Sequence, residues 1–135
     1  MRRKLLVVDT SFVVSLIMES EKHHVGAKKF FDENCEQYDF IAPELMLIEF
    51  VSFLVRKKNH ESHSVTPYLD LIHNLVEIHA NYASINSVYE TIFKYKTRGA
   101  DSIFVRLAER KNCEIITCDI DIKKKFNRCI LIRVC

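Results

Sequence analysis

Four acidic residues that lie far apart in the sequence could together bind a metal ion: Asp9, Glu49, Asp101 and Asp119. Carboxylate oxygens are the ligands that hard cations such as Mg²⁺ and Mn²⁺ prefer. Acids gathered in one cleft repel one another, so they need positive charge nearby if all are to stay ionised. If folding brings these residues together, one or two divalent cations would supply that charge and activate water for hydrolysis.

Three of the four acids also have a purely structural interpretation. Asp9 directly follows the apolar run at 5–8, and Asp119 lies two residues beyond the run that ends at Thr117. Asp101 stands at the start of a predicted helix, where it suits the helix dipole. An aspartate between a strand and a helix commonly caps the helix or forms an Asx turn. Capping and metal binding both require an ionised carboxylate near a helix start, so the sequence leaves both open.

Glu49 is harder to explain as a surface residue. Its neighbours three and four positions away on a predicted helix are largely apolar: Leu45, Met46, Ser52 and Phe53. A carboxylate placed among apolar side chains without a partner is costly to desolvate. An ion pair with a lysine or arginine would compensate, and so would a divalent cation shared with the other three acids. No His/Cys spacing points to a softer metal.

The apolar runs and helical patterns alternate along the chain. Predicted strands cover 5–8, 38–42, 76–79, 114–117 and 129–133. Predicted helices cover 12–18, 23–34, 43–55, a segment opened or interrupted by Pro67, 85–96 and 101–111. This alternation predicts an α/β fold, a three-layer sandwich around a central, mostly parallel sheet of four to five strands. We expect one domain over 1–135, with ligands binding beyond the carboxyl ends of the strands, where Asp9 and Asp119 stand.

Composition excludes several classes of protein. The chain has 135 residues, 48% of them apolar and 28% charged, with a net charge of +2. No apolar run is long enough to span a membrane, and the run at 5–8 ends at Asp9 without the cleavage site of a signal peptide. We therefore expect a cytoplasmic protein. The cysteines are odd in number and scattered, which favours reduced thiols: Cys35, Cys113, Cys118, Cys129 and Cys135.

Basic residues form four clusters, at 56–58, 94–98, 106–111 and 123–128. Each could be a solvated helix face, but several together around an acidic cleft would suit a polyanionic substrate. The six histidines are expected on helix faces or in a polar connection, and the neighbours His23 and His24 point in different directions on a helix. We therefore expect metal chemistry rather than histidine acid–base chemistry.

The segments around the four acids occur in the order seen in PIN domains, at 6–11, 43–50, 99–109 and 116–121. Over its whole length the chain resembles this family, in particular the VapC-type toxins of bacterial and archaeal toxin–antitoxin pairs. The resemblance implies that the four acids are the family's catalytic and metal-binding quartet. Auxiliary positions that it assigns are the hydroxyls of Thr10, Ser11 and Thr117 and the extra acid Asp121. Ser52 departs from the pattern, since many members have asparagine there.

The resemblance further implies a Mg²⁺- or Mn²⁺-dependent endoribonuclease that acts on RNA. It also implies a homodimer and a small antitoxin whose tail enters the acidic cleft. Apolar residues of the early helices could serve such contacts or simply the core: Phe12, Val13, Leu16, Ile17, Phe30 and Phe31. Two alternatives are an RNA-processing nuclease outside a toxin pair and a non-catalytic RNA- or protein-binding module. Haloacid dehalogenase-like phosphatases are disfavoured, because their second aspartate is replaced by Ser11.

Overall fold

The computed structural model describes residues 2–80 and 85–133. Within these residues, one sheet contains the strands β1 (Lys4–Val8), β2 (Tyr38–Pro43), β3 (Glu77–His79), β4 (Glu114–Thr117) and β5 (Cys129–Leu131). Every strand pairing is parallel, and the order across the sheet is β3-β2-β1-β4-β5. The α/β class and the five-stranded sheet are therefore confirmed, and the sheet is wholly parallel.

The helices of the described residues are α1 (Thr10–Ile17), α2 (His24–Asn34), α3 (Glu44–Lys58), α4 (Ser62–Leu75), α5 (Ile85–Tyr95), α6 (Gly99–Lys111) and α7 (Ile120–Lys125). Successive side chains of a strand point to opposite faces of a sheet. Leu6, Val7 and Val8 of the central strand are nevertheless all buried. Both faces of the sheet are therefore covered, as a three-layer arrangement requires.

Some predicted boundaries were wrong. The helix expected at 12–18 begins at Thr10, and the helix expected at 101–111 begins at Gly99. Pro43 is the last residue of β2, with extended backbone, rather than part of the first turn of α3. Pro67 neither opens nor ends a helix, because α4 continues through it. The last strand stops at Leu131 instead of residue 133.

The apolar residues of the early helices belong to the core. Phe12 and Val13 of α1 are 1% and 2% exposed. The other four of that set are half-buried and pack against the core: Leu16, Ile17, Phe30 and Phe31. Core packing therefore accounts for these side chains, and the expectation that they serve partner contacts finds no support in their burial.

The cysteines that the structure describes are free thiols: Cys35, Cys113, Cys118 and Cys129. Burial raises the pKa of the Cys113 and Cys118 thiols, and it raises that of Cys129 to about 12. These groups therefore stay protonated at neutral pH, in line with the predicted reduced thiols. Cys135 lies outside the described residues. In the ranges described, no helix combines the length and apolar character needed to cross a membrane.

Candidate active site

Asp9 is the deepest of the four predicted acids, with 6% of its surface exposed. It follows β1 directly and precedes α1, but its side chain makes no capping bond to that helix. Instead, Oδ2 accepts hydrogen bonds from the hydroxyls of Ser11 and Thr117, both at 2.7 Å. Asp9 is therefore the N-cap residue of α1 through its backbone only, since its carboxylate is held by the hydroxyls of Ser11 in α1 and Thr117 at the end of β4.

The electrostatic environment of Asp9 is unfavourable to its charge. Burial raises the pKa of Asp9 from 3.8 to about 6. The hydrogen bonds from Ser11 and Thr117 lower this pKa, while the nearby charges of Asp101 and Glu49 raise it. The carboxylates of Glu49 on α3 and Asp101 on α6 are thus close enough to Asp9 to disfavour its negative charge.

Glu49 lies on α3 and is half-buried. Its Oε1 accepts a 2.6 Å hydrogen bond from the hydroxyl of Thr10, at the start of α1. Its apolar surroundings are less closed than the sequence suggested, because Met46 is buried whereas Phe53 is half-buried. The structure shows a hydroxyl as the partner of Glu49, instead of the lysine or arginine that we considered. A hydroxyl does not neutralise the charge of the carboxylate.

Asp101 and Asp119 share one guanidinium group. Arg98 Nε lies 2.9 Å from Asp101 Oδ2, and Arg98 Nη2 lies 3.3 Å from Asp119 Oδ2. These charges raise the pKa of Arg98, with the hydrogen bond to Asp101 as the largest cause. Asp119 also caps α7, because its Oδ1 accepts from the backbone N–H of Asp121 at 2.9 Å. For Asp119, capping and participation in the acidic site therefore coexist.

The hydroxyls of Ser11 and Thr117 connect Asp9 to the loop that carries Asp119. Ser11 Oγ accepts from the backbone N–H of Cys118 at 3.0 Å, and Thr117 Oγ1 accepts from that of Asp119 at 2.9 Å. Each hydroxyl then donates its own proton to Asp9. Thr117 is fully buried. Its hydrogen bonds with Asp9 and Asp119 hold the ends of β1 and β4 against each other.

A cleft of about 520 Å³ lies beside the acidic site. Thr10, Ser11 and Asp119 of that site also line the cleft. Its other walls include Lys22 and His23, from the connection between α1 and α2, and Phe53 of α3. Nδ1 of His23 is buried there without a hydrogen-bond partner among the described residues. No sequence pattern indicated this cleft, since its walls come from segments with no common motif.

From the sequence, Arg98 was identified only as a member of the basic cluster at 94–98. Its position three residues before Asp101 was the available signal, since residues at that spacing face each other on a helix. Other members of the basic clusters make structural contacts: Lys94 pairs with Glu109 at 3.4 Å, and Lys123 donates to the carbonyl of Cys129 at 2.7 Å. These contacts fit the interpretation of the clusters as ordinary helix surface.

The acids have the right chemistry for Mg²⁺ or Mn²⁺, since every candidate ligand is a carboxylate oxygen. The buried and mutually repelling Asp9 fits a bound cation as well. In the part of the chain that the structure describes, however, no three His, Cys, Asp or Glu side chains are arranged to hold one ion as they stand. Arg98 contacts two of the acids in this arrangement.

The protein has an α/β fold built on a wholly parallel sheet. Its candidate site is a group of acids beyond the carboxyl ends of the strands. The model of the PIN domain family matches residues 6–126. The chain therefore belongs to the PIN domain family. No curated protein sequence matches it.

The solved structures that are similar to this chain include three that cover most of its length. VapBC2 from Rickettsia felis, bound to a DNA fragment from its promoter, has a TM-score of 0.71 at 15% identity, covering 94% of this chain and 96% of that one. VapC20 from Mycobacterium tuberculosis, described as a toxin that cleaves the sarcin–ricin loop, has a TM-score of 0.70 at 17% identity, covering 88% and 93%. PAE2754 from Pyrobaculum aerophilum has a TM-score of 0.68 at 14% identity, covering 96% and 84%. These likenesses confirm the fold.

Proposed function

We propose that this protein is a divalent-metal-dependent endoribonuclease. In this proposal Asp9, Glu49, Asp101 and Asp119 are the catalytic, metal-binding residues, and Mg²⁺ or Mn²⁺ is the cofactor. The observation that carries the proposal is the state of Asp9, a buried carboxylate whose pKa is raised to about 6 by burial and by Asp101 and Glu49. Burial and like charges disfavour the ionised form of such a group, and a bound divalent cation would stabilise that form.

The chain's own residues have separate tasks in this proposal. A divalent cation bound by carboxylates lowers the pKa of a coordinated water, which supplies hydroxide for attack on a phosphodiester phosphorus. Ser11 and Thr117 orient Asp9 by occupying Oδ2, which leaves Oδ1 free of those two hydroxyls. Thr10 orients Glu49 in the same way. Asp121 is an auxiliary acid, exposed at the start of α7.

The test is cleavage of single-stranded RNA by the purified protein with Mn²⁺ or Mg²⁺ and with EDTA. We expect cleavage with the metals, none in EDTA, and none by Asp9→Asn, which keeps the size of the side chain. A binding assay on the same RNA separates the alternative of a non-catalytic module, which would bind RNA equally with and without Asp9. Metal-independent cleavage, or full activity of Asp9→Asn, would exclude the proposed site.

We further propose that the protein is the toxin of a VapBC-type pair, a cytoplasmic homodimer restrained by a small antitoxin. The similarity in fold to VapBC2 and VapC20 supports this choice over an RNA-processing nuclease outside a toxin pair. A dimer is also supported by α5, on which Ile85, Tyr89 and Phe93 are 66%, 53% and 59% exposed. These residues are four positions apart and share one helix face.

Expression in a bacterial host tests the toxin role. We expect induction to arrest growth, Asp9→Asn to be harmless, and co-expression of the small protein encoded beside this gene to restore growth. Normal growth on induction of a protein that cleaves RNA in vitro would favour the processing nuclease.

A further inference from the structure

Arg98 lies directly over two members of the acidic quartet. Its guanidinium reaches Asp101 Oδ2 through Nε at 2.9 Å and Asp119 Oδ2 through Nη2 at 3.3 Å. The residue immediately precedes α6, so its backbone is fixed beside Asp101. One cation from the protein itself thus bridges Asp101, in the first turn of α6, and Asp119, at the N-cap of α7.

The exposed fractions of the three side chains show which of them lies nearest the solvent. The side chain of Arg98 is 68% exposed, whereas those of Asp101 and Asp119 are 16% and 29% exposed. The guanidinium therefore lies on the solvent side of the carboxylates. It can rotate away without opening the core, and the ion pairs of such an exposed group are individually weak.

We propose that Arg98 is a tethered counter-cation that competes with the divalent metal for Asp101 and Asp119. In the metal-free protein it offsets the repulsion between these two acids and holds their oxygens in salt bridges. A metal ion that binds the same oxygens must displace it. This inference rests on the proposed function, because it assumes that the acids bind a metal.

Removing a competing cation changes the metal affinity in the opposite direction from removing an assisting one. A basic residue that assists metal binding would weaken it when removed, but a competitor strengthens it when removed. Arg98→Ala and Arg98→Gln should therefore bind Mn²⁺ more tightly than the wild-type protein, by about three- to tenfold, as expected for the loss of two exposed ion pairs. Arg98→Gln preserves most of the side-chain length, so it decides the matter if Arg98→Ala does not fold.

The measurement is isothermal titration of the metal-free protein with Mn²⁺, without RNA, alongside thermal unfolding in EDTA and in Mn²⁺. Lys22→Ala is the matched control, since it removes one positive charge from the cleft beside Asp119 and leaves both Arg98 salt bridges in place. Arg3→Ala is a second control, since it removes an exposed arginine paired with Asp39 at 3.5 Å, near the opposite end of β1. Both controls should change the dissociation constant less than about twofold.

Tighter Mn²⁺ binding by the Arg98 variants, together with a larger rise in Tm on adding Mn²⁺, supports competition. Unchanged or weaker binding by a folded Arg98 variant overturns it, as does equal tightening in Lys22→Ala. If the wild-type protein binds Mn²⁺ and loses this binding in Asp101→Asn, the metal site stands whatever the Arg98 variants show. If neither the wild-type protein nor the variants bind Mn²⁺, both the proposed function and this inference fail.

Discussion

The hydroxyl of Thr117 donates a 2.7 Å hydrogen bond to Oδ2 of Asp9, across 108 positions of sequence. Thr117 ends β4 and Asp9 follows β1, and these strands are neighbours in the sheet. The same hydroxyl accepts from the backbone N–H of Asp119 at 2.9 Å. One buried threonine therefore sets both the direction of the Asp9 carboxylate and the path of the loop that carries Asp119.

Replacing Thr117 with valine should impair the site more than the fold. The change keeps the shape of the side chain but leaves Asp9 with one hydroxyl bond and the N–H of Asp119 without its partner. We expect RNA cleavage to fall about 10- to 100-fold, as for other groups that support metal ligands. The free energy of unfolding should fall by about 1 kcal/mol because a partly buried N–H loses its hydrogen-bond partner.

Thr91→Val is the matched control for this prediction. Thr91 is also buried, and its hydroxyl lies 3.3 Å from a carboxylate oxygen of Glu109, within the contact between α5 and α6. Urea denaturation and cleavage rates should show some loss of stability in both variants but a large loss of activity only in Thr117→Val. Similar activities of the two variants would show that Thr117 has no special role in the site.

The raised pKa of Asp9 predicts a specific pH dependence of stability for the metal-free protein. Asp9 titrates near 3.8 when unfolded and near 6 when folded. Between these values the folded state holds a proton that the unfolded state has released, so the free energy of unfolding falls as pH rises through this interval. At neutral pH the difference reaches about 3 kcal/mol, since each pKa unit corresponds to about 1.4 kcal/mol.

Asp9→Asn should remove this part of the pH dependence. The amide oxygen can accept both hydroxyl bonds that Oδ2 now accepts, and the amide carries no charge to repel Asp101 and Glu49. Urea denaturation in EDTA at pH 4.5 and pH 7 measures the effect. The variant should be the more stable protein at pH 7 and should approach the wild type at the lower pH. A wild type that gains stability from pH 4.5 to pH 7 relative to the variant would contradict this assignment.

Glu49→Gln separates the charge of this residue from its hydrogen bond. The amide oxygen can still accept from Thr10, so α1 and α3 stay connected, but one negative charge is lost. We expect RNA cleavage to fall at least about tenfold, with little change in Tm in EDTA. Glu44→Gln, in the exposed first turn of the same helix, should leave cleavage unchanged. Equal activities of the two variants would remove Glu49 from the proposed quartet.

The exposed face of α5 provides a test of the proposed dimer. Tyr89 and Phe93 lie with ring centroids 4.7 Å apart on the surface of this helix. If this face joins two copies, Phe93→Asp should weaken dimerisation at least about tenfold, because it places an unpaired charge in the apolar centre of an interface. Asn86→Asp introduces the same charge elsewhere on the helix and should not. Sedimentation over a range of concentrations distinguishes the two, and a monomeric wild type would contradict the proposal.

The sequence by itself indicated the order of the five strands and of six of the seven helices described, and the position of each of the four acids relative to them. Apolar periodicity is a local property, so the runs before Asp9 and Asp119 indicated buried strands without knowledge of their neighbours. Parallel strands end at the same edge of a sheet, so convergence of the two acids followed from the predicted fold. The short helix α7 was not predicted, and other errors lay at element ends such as Pro43, where local propensity alone does not decide whether a residue ends a strand or starts a helix.

Only the tertiary structure decided what each acid contacts. Whether the side chain of Asp9 caps α1 or turns to Thr117 depends on how closely β1 and β4 are paired, which no local pattern encodes. The bridge from Arg98 to Asp119 and the cleft walls at His23 and Phe53 likewise join segments brought together by packing of helices on the sheet. Burial then set the pKa of Asp9, because desolvation depends on everything that surrounds a carboxylate and not on its neighbours in sequence.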